Sequence, residues 1–295
     1  MPADTGNDSF ANLAADLRPR LHRYCARMVG SALDGEDVVQ DALAKAALHY
    51  DGELVREPKA WMFRVAHNAA LDFLRRRSLE RQVFSPADEE TGPDLQDAVD
   101  PHAGAEATAA ALATFMHLPF TQRSAVILAD VLGHALQEIA GTLQTTVPAV
   151  KAALHRGRTR LRALGREGEI PPQAQLPPRL LVLAQLYAER FNARDFDGLR
   201  ALLADEVRLQ VAGRVDVQGS REVVGYFSNY ARLQGLRAQA TAFEGHAGLW
   251  VHEGGPGGGA YPIVLDWGAG DRLVAIRDFR YARYVADTFV AKGTA

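Results

Sequence analysis

Residues 136–163 read LQEIAGTLQTTVPAVKAALHRGRTRLRA, and this stretch decides how the first part of the chain folds. Apolar residues recur three and four positions apart on both sides of a polar Gln-Thr-Thr, a spacing typical of two amphipathic helices. The apolar stripe of the second segment consists of Val147, Val150, Leu154, Gly157, Leu161 and Leu164. Pro148 fits such a helix because it would lie in the first turn, where its missing N–H is tolerated. The pattern predicts a helix-turn-helix unit.

Basic side chains occupy the surface of the second predicted helix that faces away from the apolar stripe. At about 100° per residue, His155 and Arg156 lie opposite the stripe, whereas Lys151, Arg158 and Arg162 lie on one flank. A helix in the major groove reads base edges with its outward residues and binds phosphates with its flanks. The spacing therefore predicts DNA binding. A solvated basic face on a bundle helix is the alternative.

A second motif lies in residues 57–77, which read EPKAWMFRVAHNAALDFLRRR. One side of the predicted helix is apolar, and the other carries Trp61, Arg64, Asn68, Asp72 and Arg75 at spacings of three and four. Such a face suits single-stranded nucleic acid. An aromatic ring can stack on a base, an amide can read a base edge, and cations can neutralise the backbone. The alternative is a tryptophan that closes the edge of a helical bundle.

Composition and charge narrow the class of protein. The 295 residues are 47% hydrophobic and 23% charged, as in a soluble globular chain, and the formal net charge is −3. The charges are segregated: residues 147–166 carry six bases and no acid, whereas residues 85–106 carry seven acids and neither Lys nor Arg. This segregation predicts a nucleic-acid-facing element and a separate acidic linker.

The sequence argues against several kinds of site. Cys25 is the single cysteine, so no intrachain disulfide can form and a cytoplasmic location is expected. The nine histidines lack paired metal-ligand spacing. The first residues are polar and acidic, and no apolar run reaches membrane length. We therefore expect no metal, no cofactor, no catalytic site and no membrane segment.

The chain divides into three predicted modules and two linkers. The predicted order is a helical domain (10–80), an acidic linker (81–106), a second helical domain (107–168), a proline-rich linker (169–178) and a final domain (179–290). The final domain interleaves helical segments with alternating stretches that are broken by glycine-rich turns such as GGPGGGA. Its pattern predicts an α+β fold with a curved antiparallel sheet. The whole chain is thus expected to be multidomain, with two all-α modules followed by an α+β domain.

Three stretches together resemble bacterial sigma-70-type initiation factors. DGEDVVQDALAKA (34–46) and AWMFRVAHNAALDFLRRR (60–77) look like region 2, and LPFTQRSAVILADVLGHALQEIAGTLQTTVPAVKAALHRGRTRLRA (118–163) looks like region 4. The linker between them leaves no room for a region 3 domain, so the resemblance is to the extracytoplasmic-function (group IV) class. It implies a promoter-specificity subunit whose partners are core RNA polymerase and promoter DNA.

The resemblance also implies roles for matching residues. Those that would dock on core RNA polymerase are Asp37, Gln40 and Asp41. Those that match the element that melts and reads the minus-10 region are Trp61, Arg64 and Asn68. Those that match the minus-35 reader are Lys151, His155, Arg156 and Arg158. Further candidate DNA-binding residues are Arg75, Arg76 and Arg162. Ala152 and Ala153 depart from the polar or basic residues usual in the family, so the minus-35 sequence is not predicted. For the polymerase-docking residues, a solvated face with an Asp41–Lys45 ion pair is the alternative.

The final domain resembles the SnoaL-like cone fold, through its order of elements and through LYAERFNARDFDGLRALLADEV (186–207). Cone folds enclose a pocket between sheet and helices, so the resemblance implies a regulatory domain with a site for a small-molecule ligand. Aromatic residues that would line this pocket, or simply form core, are Tyr187, Phe191, Phe227, Tyr230, Trp250, Tyr261 and Trp267. Asp266 and Asp278 are candidate buried acids, unless strand alternation places them in solvent.

Three functions are consistent with these features. The leading hypothesis is a non-enzymatic sigma factor with a built-in regulatory domain. The second is a helix-turn-helix repressor or activator that senses a small ligand, which leaves the Trp61 face without a role. The third is an isomerase-type enzyme with a DNA-binding appendage, which would need an acid and a hydrogen-bond donor converging in a pocket.

Overall fold

A computed structural model describes residues 5–52, 55–84, 112–167, 176–255 and 258–289. The predicted acidic linker lies outside these ranges from residue 85 onward, and the predicted proline-rich linker lies outside them up to residue 175. The described residues form two compact units, one within 5–167 and the other within 176–289. The first unit is helical and the second combines a sheet with helices, so the predicted fold class is confirmed.

Three long helices begin the first unit. They are α1 (Thr5–Val29), α2 (Ala32–His49) and α3 (Pro58–Phe84). Ser31 caps α2, because its hydroxyl oxygen accepts a hydrogen bond from the Asp34 N–H at 3.0 Å. The apolar faces of the three helices are buried together, and Leu21, Met62 and Phe63 are among their fully buried side chains. The polar faces of α2 and α3 are left at the surface.

Shorter helices complete the first unit. They are α4 (Phe120–Val126), which continues as a π-helical turn (Ile127–Val131), α5 (Leu136–Thr142) and α6 (Val147–Glu167). The turn between α5 and α6 holds Gln144 at a φ of 50°, and Thr146 Oγ1 accepts a hydrogen bond from the Ala149 N–H at 3.3 Å. Gly157 lets α6 approach α4, because a Cβ there would lie 2.7 Å from Val126 Cγ2. α5 and α6 are the helices of the predicted helix-turn-helix.

Helices from both predicted helical domains share one hydrophobic core. A small buried polar cluster lies between them: the Tyr24 hydroxyl is 2.9 Å from His67 Nδ1 and 3.2 Å from Ser124 Oγ. The Arg123 guanidinium donates to the backbone carbonyl of Met28. Hydrogen bonds of this kind link α1, α3 and α4, so the first unit is held by polar contacts as well as by apolar packing.

The second unit is built on one six-stranded sheet. Its strands are β1 (Leu203–Val211), β2 (Val215–Gln218), β3 (Leu236–Phe243), β4 (His246–Glu253), β5 (Ala260–Trp267) and β6 (Leu273–Asp278), and its helices are α7 (Pro178–Ala193), α8 (Phe196–Arg200), α9 (Val224–Arg232) and α10 (Arg283–Phe289). The strand order is β2-β1-β6-β5-β4-β3. All neighbouring strands are antiparallel except β1 and β6, which are parallel.

The sheet is therefore mixed, and the expectation of a wholly antiparallel sheet is wrong at one strand pair. The hairpin signals in the sequence describe strands that follow each other along the chain. β1 and β6 are separated by all the other strands, so no turn signal specifies their relative direction. α7 packs against β3 and β4, and it encloses a second hydrophobic core together with the sheet.

Candidate nucleic-acid interface

α6 carries an exposed basic face opposite a buried apolar face. Val150, Leu154 and Gly157 are buried in the core of the first unit. The basic residues on the exposed side are Lys151, His155, Arg156, Arg158 and Arg162. The apolar stripe fixes which side of α6 faces the core, so helical periodicity alone sets the outward direction of these five side chains.

Ala153 belongs to the core and not to the exposed face of α6. Its side chain is 2% exposed and packs with the other buried residues of the first unit. Ala153 is therefore enclosed by helices and cannot reach a DNA groove. Ala152 is half-buried and lies beside the outward residues His155 and Arg156.

A groove of about 520 Å³ lies beside the basic flank of α6. The residues that line it are Ala129, Asp130, His134, Ala135, Leu136, Lys151, Leu154, His155, Arg158 and Arg162. Asp130, on the π-helical turn, accepts two hydrogen bonds from Arg158: Nε to Oδ2 at 2.9 Å and Nη2 to Oδ1 at 2.6 Å. These bonds raise the pKa of Arg158. Sequence reasoning missed Asp130, because only the fold brings this acid to α6.

The predicted nucleic-acid face of α3 is only partly open to solvent. Trp61 is half-buried: its ring centroid lies 5.8 Å from that of Tyr50, and it packs against the core. Arg64 is also half-buried, and its Nε has no hydrogen-bond partner among the residues that the structure describes. Asn68 is exposed. Trp61 therefore serves packing as well as presenting part of its ring at the surface.

Ion pairs connect the exposed sides of α2 and α3. Arg76 pairs with Asp41 at 3.2 Å, and Lys45 pairs with Asp72 at 3.3 Å. Arg75 lies 4.0 Å from Asp72 on the same helix. Asp41 and Lys45 thus each form an ion pair with a residue of α3. The Asp41–Lys45 pair within α2, which was the alternative, is not formed in this described part of the chain.

The three residues predicted to dock on polymerase lie on one side of α2. Asp41 is exposed, and Asp37 and Gln40 are half-buried. Their spacing of three and four residues places them along one face of the helix. The structure therefore brings them together, next to the row of ion pairs that joins α2 to α3.

Two protein-family models match the first unit. The model described as Sigma-70 region 2 matches residues 13–80, and the model described as Sigma-70, region 4 matches residues 109–161. The ECF RNA polymerase sigma factor SigM of Mycobacterium tuberculosis is 30% identical over 161 residues, which cover 53% of this chain and 76% of SigM. This chain belongs to the ECF RNA polymerase sigma factors.

Other proteins are similar over different parts of the chain. SigG of Mycobacterium tuberculosis is 29% identical over 228 residues, which cover 70% of this chain but only 62% of SigG. The crystal structure of the Mycobacterium tuberculosis extracytoplasmic function sigma factor SigJ covers 91% of this chain and 95% of its own, at 22% identity and a TM-score of 0.36. A structure of CnrH in complex with the cytosolic domain of CnrY covers 56% of this chain and 92% of its own, at 25% identity and a TM-score of 0.41.

The family models assign the two outward faces to different regions of this sigma factor. Region 2 contains the α2 and α3 faces, and region 4 contains the helix-turn-helix with α6. Among the described residues, no helix is long and apolar enough to cross a membrane. The same residues hold no group of three or more His, Cys, Asp or Glu side chains that could bind a metal ion.

A buried acid lies in the second unit, outside both matched regions. Asp278 is 2% exposed, and it accepts hydrogen bonds from the Tyr230 hydroxyl at 2.7 Å and from the Arg280 N–H at 2.8 Å. Burial raises the pKa of Asp278. The hydroxyls of Tyr187 and Tyr226 are buried near the same carboxylate. The Tyr226 hydroxyl interacts with Asp278, whereas the Tyr187 hydroxyl has no hydrogen-bond partner among the described residues.

The other residues that were predicted to line a pocket in the second unit differ in their burial. Five of the aromatic residues, Tyr187, Phe191, Phe227, Tyr230 and Tyr261, are buried, whereas Trp250 and Trp267 are half-buried. Asp266 is partly exposed and lies 3.1 Å from His246 Nδ1. Burial acts to raise the pKa of Asp266, but the His246 hydrogen bond and the nearby Arg277 outweigh it and lower the pKa. Asp278 is thus the buried acid of the two.

Proposed function

We propose that this sigma factor binds core RNA polymerase, recognises the minus-10 and minus-35 elements of its promoters and initiates transcription. The observation that carries the proposal is the presence, in one compact unit, of the basic face of α6 and the Trp61–Asn68 face of α3. A helix-turn-helix serves repressors and activators equally, whereas a melted promoter also requires a surface for unpaired bases. In this role the protein acts in the cytoplasm and catalyses no reaction of its own.

Region 4 binds the minus-35 element through two kinds of contact. His155 and Arg156 face base edges in the major groove, where an arginine can bind guanine through two hydrogen bonds. Lys151, Arg158 and Arg162 bind phosphates beside the groove, which fixes the register of α6 without reading sequence. The exposure of all five side chains supports this division.

Region 2 holds the melted minus-10 element. The exposed edge of the Trp61 ring stacks on a base, and Asn68 reads a base edge through its amide. Arg64, Arg75 and Arg76 neutralise the backbone of the unpaired strand. The exposure of Asn68, Arg75 and Arg76 supports this arrangement.

The α2 face docks on core RNA polymerase. Asp37, Gln40 and Asp41 present two acids and an amide along one side of a helix, which suits a basic partner surface. Asp41 then exchanges its ion pair with Arg76 for one with polymerase.

In vitro transcription tests this function directly. Core RNA polymerase and the full-length chain transcribe a library of genomic fragments, and the start sites identify the promoters. We expect transcripts that depend on the chain, and Arg156→Ala should weaken promoter binding by about 1–3 kcal/mol. Arg237→Ala, which removes an exposed arginine in the second unit, is the matched control and should have no effect. Duplex binding without any chain-dependent transcript would instead identify a helix-turn-helix regulator.

The second unit regulates this activity as a SnoaL-like domain of residues 179–290. Its six-stranded sheet, its covering helices and its own core support an independent domain. The linker PPQAQLPP (171–178) is short and proline-rich, so the domain stays at high effective concentration beside regions 2 and 4. Deleting everything after Pro178 should change transcription markedly while regions 2 and 4 stay folded. Equal activity of both proteins over a range of concentrations would exclude a regulatory role.

The second unit also binds a small molecule at Asp278. The buried Tyr187 hydroxyl, which has no hydrogen-bond partner among the described residues, supports this proposal, because buried polar groups normally find a partner. A ligand that donates or accepts a hydrogen bond would satisfy it. Thermal melting of the full chain with small alcohols and phenols tests the site. Stabilisation of the wild type that Tyr187→Phe abolishes supports it, and equal melting shifts in both proteins contradict it.

A further inference from the structure

Arg158 is already engaged by an acid in the free protein. Its guanidinium forms a two-pronged contact with the Asp130 carboxylate, at 2.9 Å through Nε and 2.6 Å through Nη2. Both side chains are substantially exposed, at 45% for Arg158 and 37% for Asp130. The contact therefore lies at the open rim of the groove beside α6, where a DNA phosphate would arrive.

A carboxylate and a phosphate bind arginine in the same way. Each offers two oxygens to the planar fork of the guanidinium, so one arginine rarely satisfies both with the same pair of N–H groups. The groove contains other cations, Lys151 and Arg162, for which the structure describes no acidic partner within its ranges. Arg158 thus differs from them, because its positive charge is compensated before DNA binds.

We propose that Asp130 acts as an internal phosphate mimic that holds Arg158 and keeps region 4 from binding DNA indiscriminately. A phosphate must displace the carboxylate to reach Arg158. The competition between carboxylate and phosphate is offset only by a duplex that also makes base contacts with α6. The inference rests on the proposed function of α6, and it makes Asp130 a specificity-determining residue that itself contacts no base.

The exposure of the pair makes such an exchange feasible. Ion pairs between solvent-exposed groups are weak, since water and salt screen them, so a phosphate can replace the carboxylate at little cost. Asp130 lies on the π-helical turn that continues α4, and its backbone is fixed by the core residues Ile127 and Leu128. The carboxylate therefore stays beside α6 after Arg158 has moved to a phosphate.

Salt-dependent binding to a duplex of arbitrary sequence tests the inference. The full-length chain is titrated onto a fluorescein-labelled 30-base-pair duplex at several salt concentrations, and anisotropy gives the dissociation constant. Asp130→Asn and Asp130→Ala should tighten this binding about threefold to tenfold and steepen the salt slope by about 0.9, because Arg158 gains one phosphate contact. Discrimination in favour of a promoter duplex should fall by a similar factor.

A matched control exists in the second unit. Arg208 forms the same two-pronged contact with Asp216, at 2.9 and 2.7 Å, and both side chains are exposed to a similar degree. Asp216→Asn changes the net charge of the chain as Asp130→Asn does, but far from α6 in sequence. We expect its DNA affinity to stay within about twofold of the wild type, since the Asp216 carboxylate pairs with Arg208 of the second unit and not with a residue of α6.

The double variant separates the possible outcomes. In an Arg158→Ala background, Asp130→Asn should have no further effect, because the carboxylate then has no arginine to withhold. Equal tightening in that background, or in Asp216→Asn, would overturn the inference in favour of a net-charge effect. Weaker binding by Asp130→Asn would overturn it as well, since Asp130 would then orient Arg158 for DNA. On a promoter duplex, Arg158→Ala binding as tightly as wild type would contradict the proposed phosphate contact itself, and hence both proposals at this residue.

Discussion

Asp41 on α2 and Arg76 on α3 form an ion pair of 3.2 Å, although the sequence assigns them to different partners. Asp41 is predicted to dock on polymerase and Arg76 to bind promoter DNA. Both side chains are more than half exposed, so their mutual attraction is weak and either can change partner. The pair thus places the surface predicted to bind polymerase directly next to the surface predicted to bind the minus-10 element.

Asp41→Ala should weaken binding to core RNA polymerase without a comparable loss of stability. An exposed ion pair contributes less than about 1 kcal/mol to folding, so the free energy of unfolding should stay within that range. Lys45→Ala is the matched control, because it breaks the neighbouring exposed pair with Asp72. Urea titration and a fluorescence assay with labelled core polymerase measure the two quantities. Equal loss of polymerase binding in both variants would argue against a specific role of Asp41.

Substitutions of Trp61 and Asn68 should distinguish a role in packing from a role in base recognition. Trp61 packs against Tyr50 and the core, so Trp61→Ala should lower the free energy of unfolding by about 1–3 kcal/mol. The same substitution should also reduce promoter melting. Asn68 is exposed, so Asn68→Ala should reduce melting while changing stability by less than about 0.5 kcal/mol. Urea titration gives the stability, and permanganate reactivity of unpaired thymines reports melting. Normal melting by Asn68→Ala would remove this residue from the proposed interface.

Helical periodicity predicted the parts of the fold that depend on one helix at a time. The apolar stripe of α6 identified its buried face at Val150 and Leu154, and the same reasoning identified Met62 and Phe63 on α3. Ala153, which is also buried, lies about 60° from Val150 around the helix and so within the same stripe.

Contacts between elements were beyond the reach of the sequence pattern. The pairing of Arg158 with Asp130 depends on how the π-helical turn crosses α6, and that of Asp41 with Arg76 depends on the packing of α2 on α3. Spacing along α2 instead suggested Lys45 as the partner of Asp41, because the i,i+4 rule applies only to residues of the same helix. The parallel pairing of β1 with β6 was missed for the same reason.

Two glycines of the helix-turn-helix should respond in opposite ways to a methyl group. A Cβ at Gly157 would lie 2.7 Å from Val126 Cγ2, so Gly157→Ala should destabilise the first unit by about 1–3 kcal/mol through overpacking. A Cβ at Gly141 would have no neighbour within 4 Å, and Gly141→Ala should stabilise α5 by about 0.5–1 kcal/mol. Urea denaturation of both variants measures the difference. Stabilisation by both would show that α6 lies further from α4.

His67 should make the stability of the first unit sensitive to acid. Burial lowers the pKa of His67 to about 4, and Nδ1 lies 2.9 Å from the Tyr24 hydroxyl and 3.3 Å from Ser124 Oγ. Protonation would place a charged imidazolium in this buried cluster, where burial disfavours the charged form. Because Tyr24 and Ser124 come from α1 and α4, the contact that protonation disturbs is one that joins regions 2 and 4.

The sign of the effect follows from the lowered pKa. The unfolded chain protonates His67 near its ordinary pKa of about 6.5, whereas the folded chain does so only near about 4. The free energy of unfolding is therefore highest above pH 6.5, where His67 is neutral in both states. It falls progressively as the pH falls towards 4, by about 2 kcal/mol between pH 7 and pH 5. His67→Gln, which keeps an acceptor but does not titrate, should lose less stability over this range than the wild type. His49→Gln replaces an exposed histidine and should follow the wild type. Urea titrations at pH 7, 6 and 5 measure these differences, and parallel curves for the wild type and His67→Gln would show that His67 is not the group responsible.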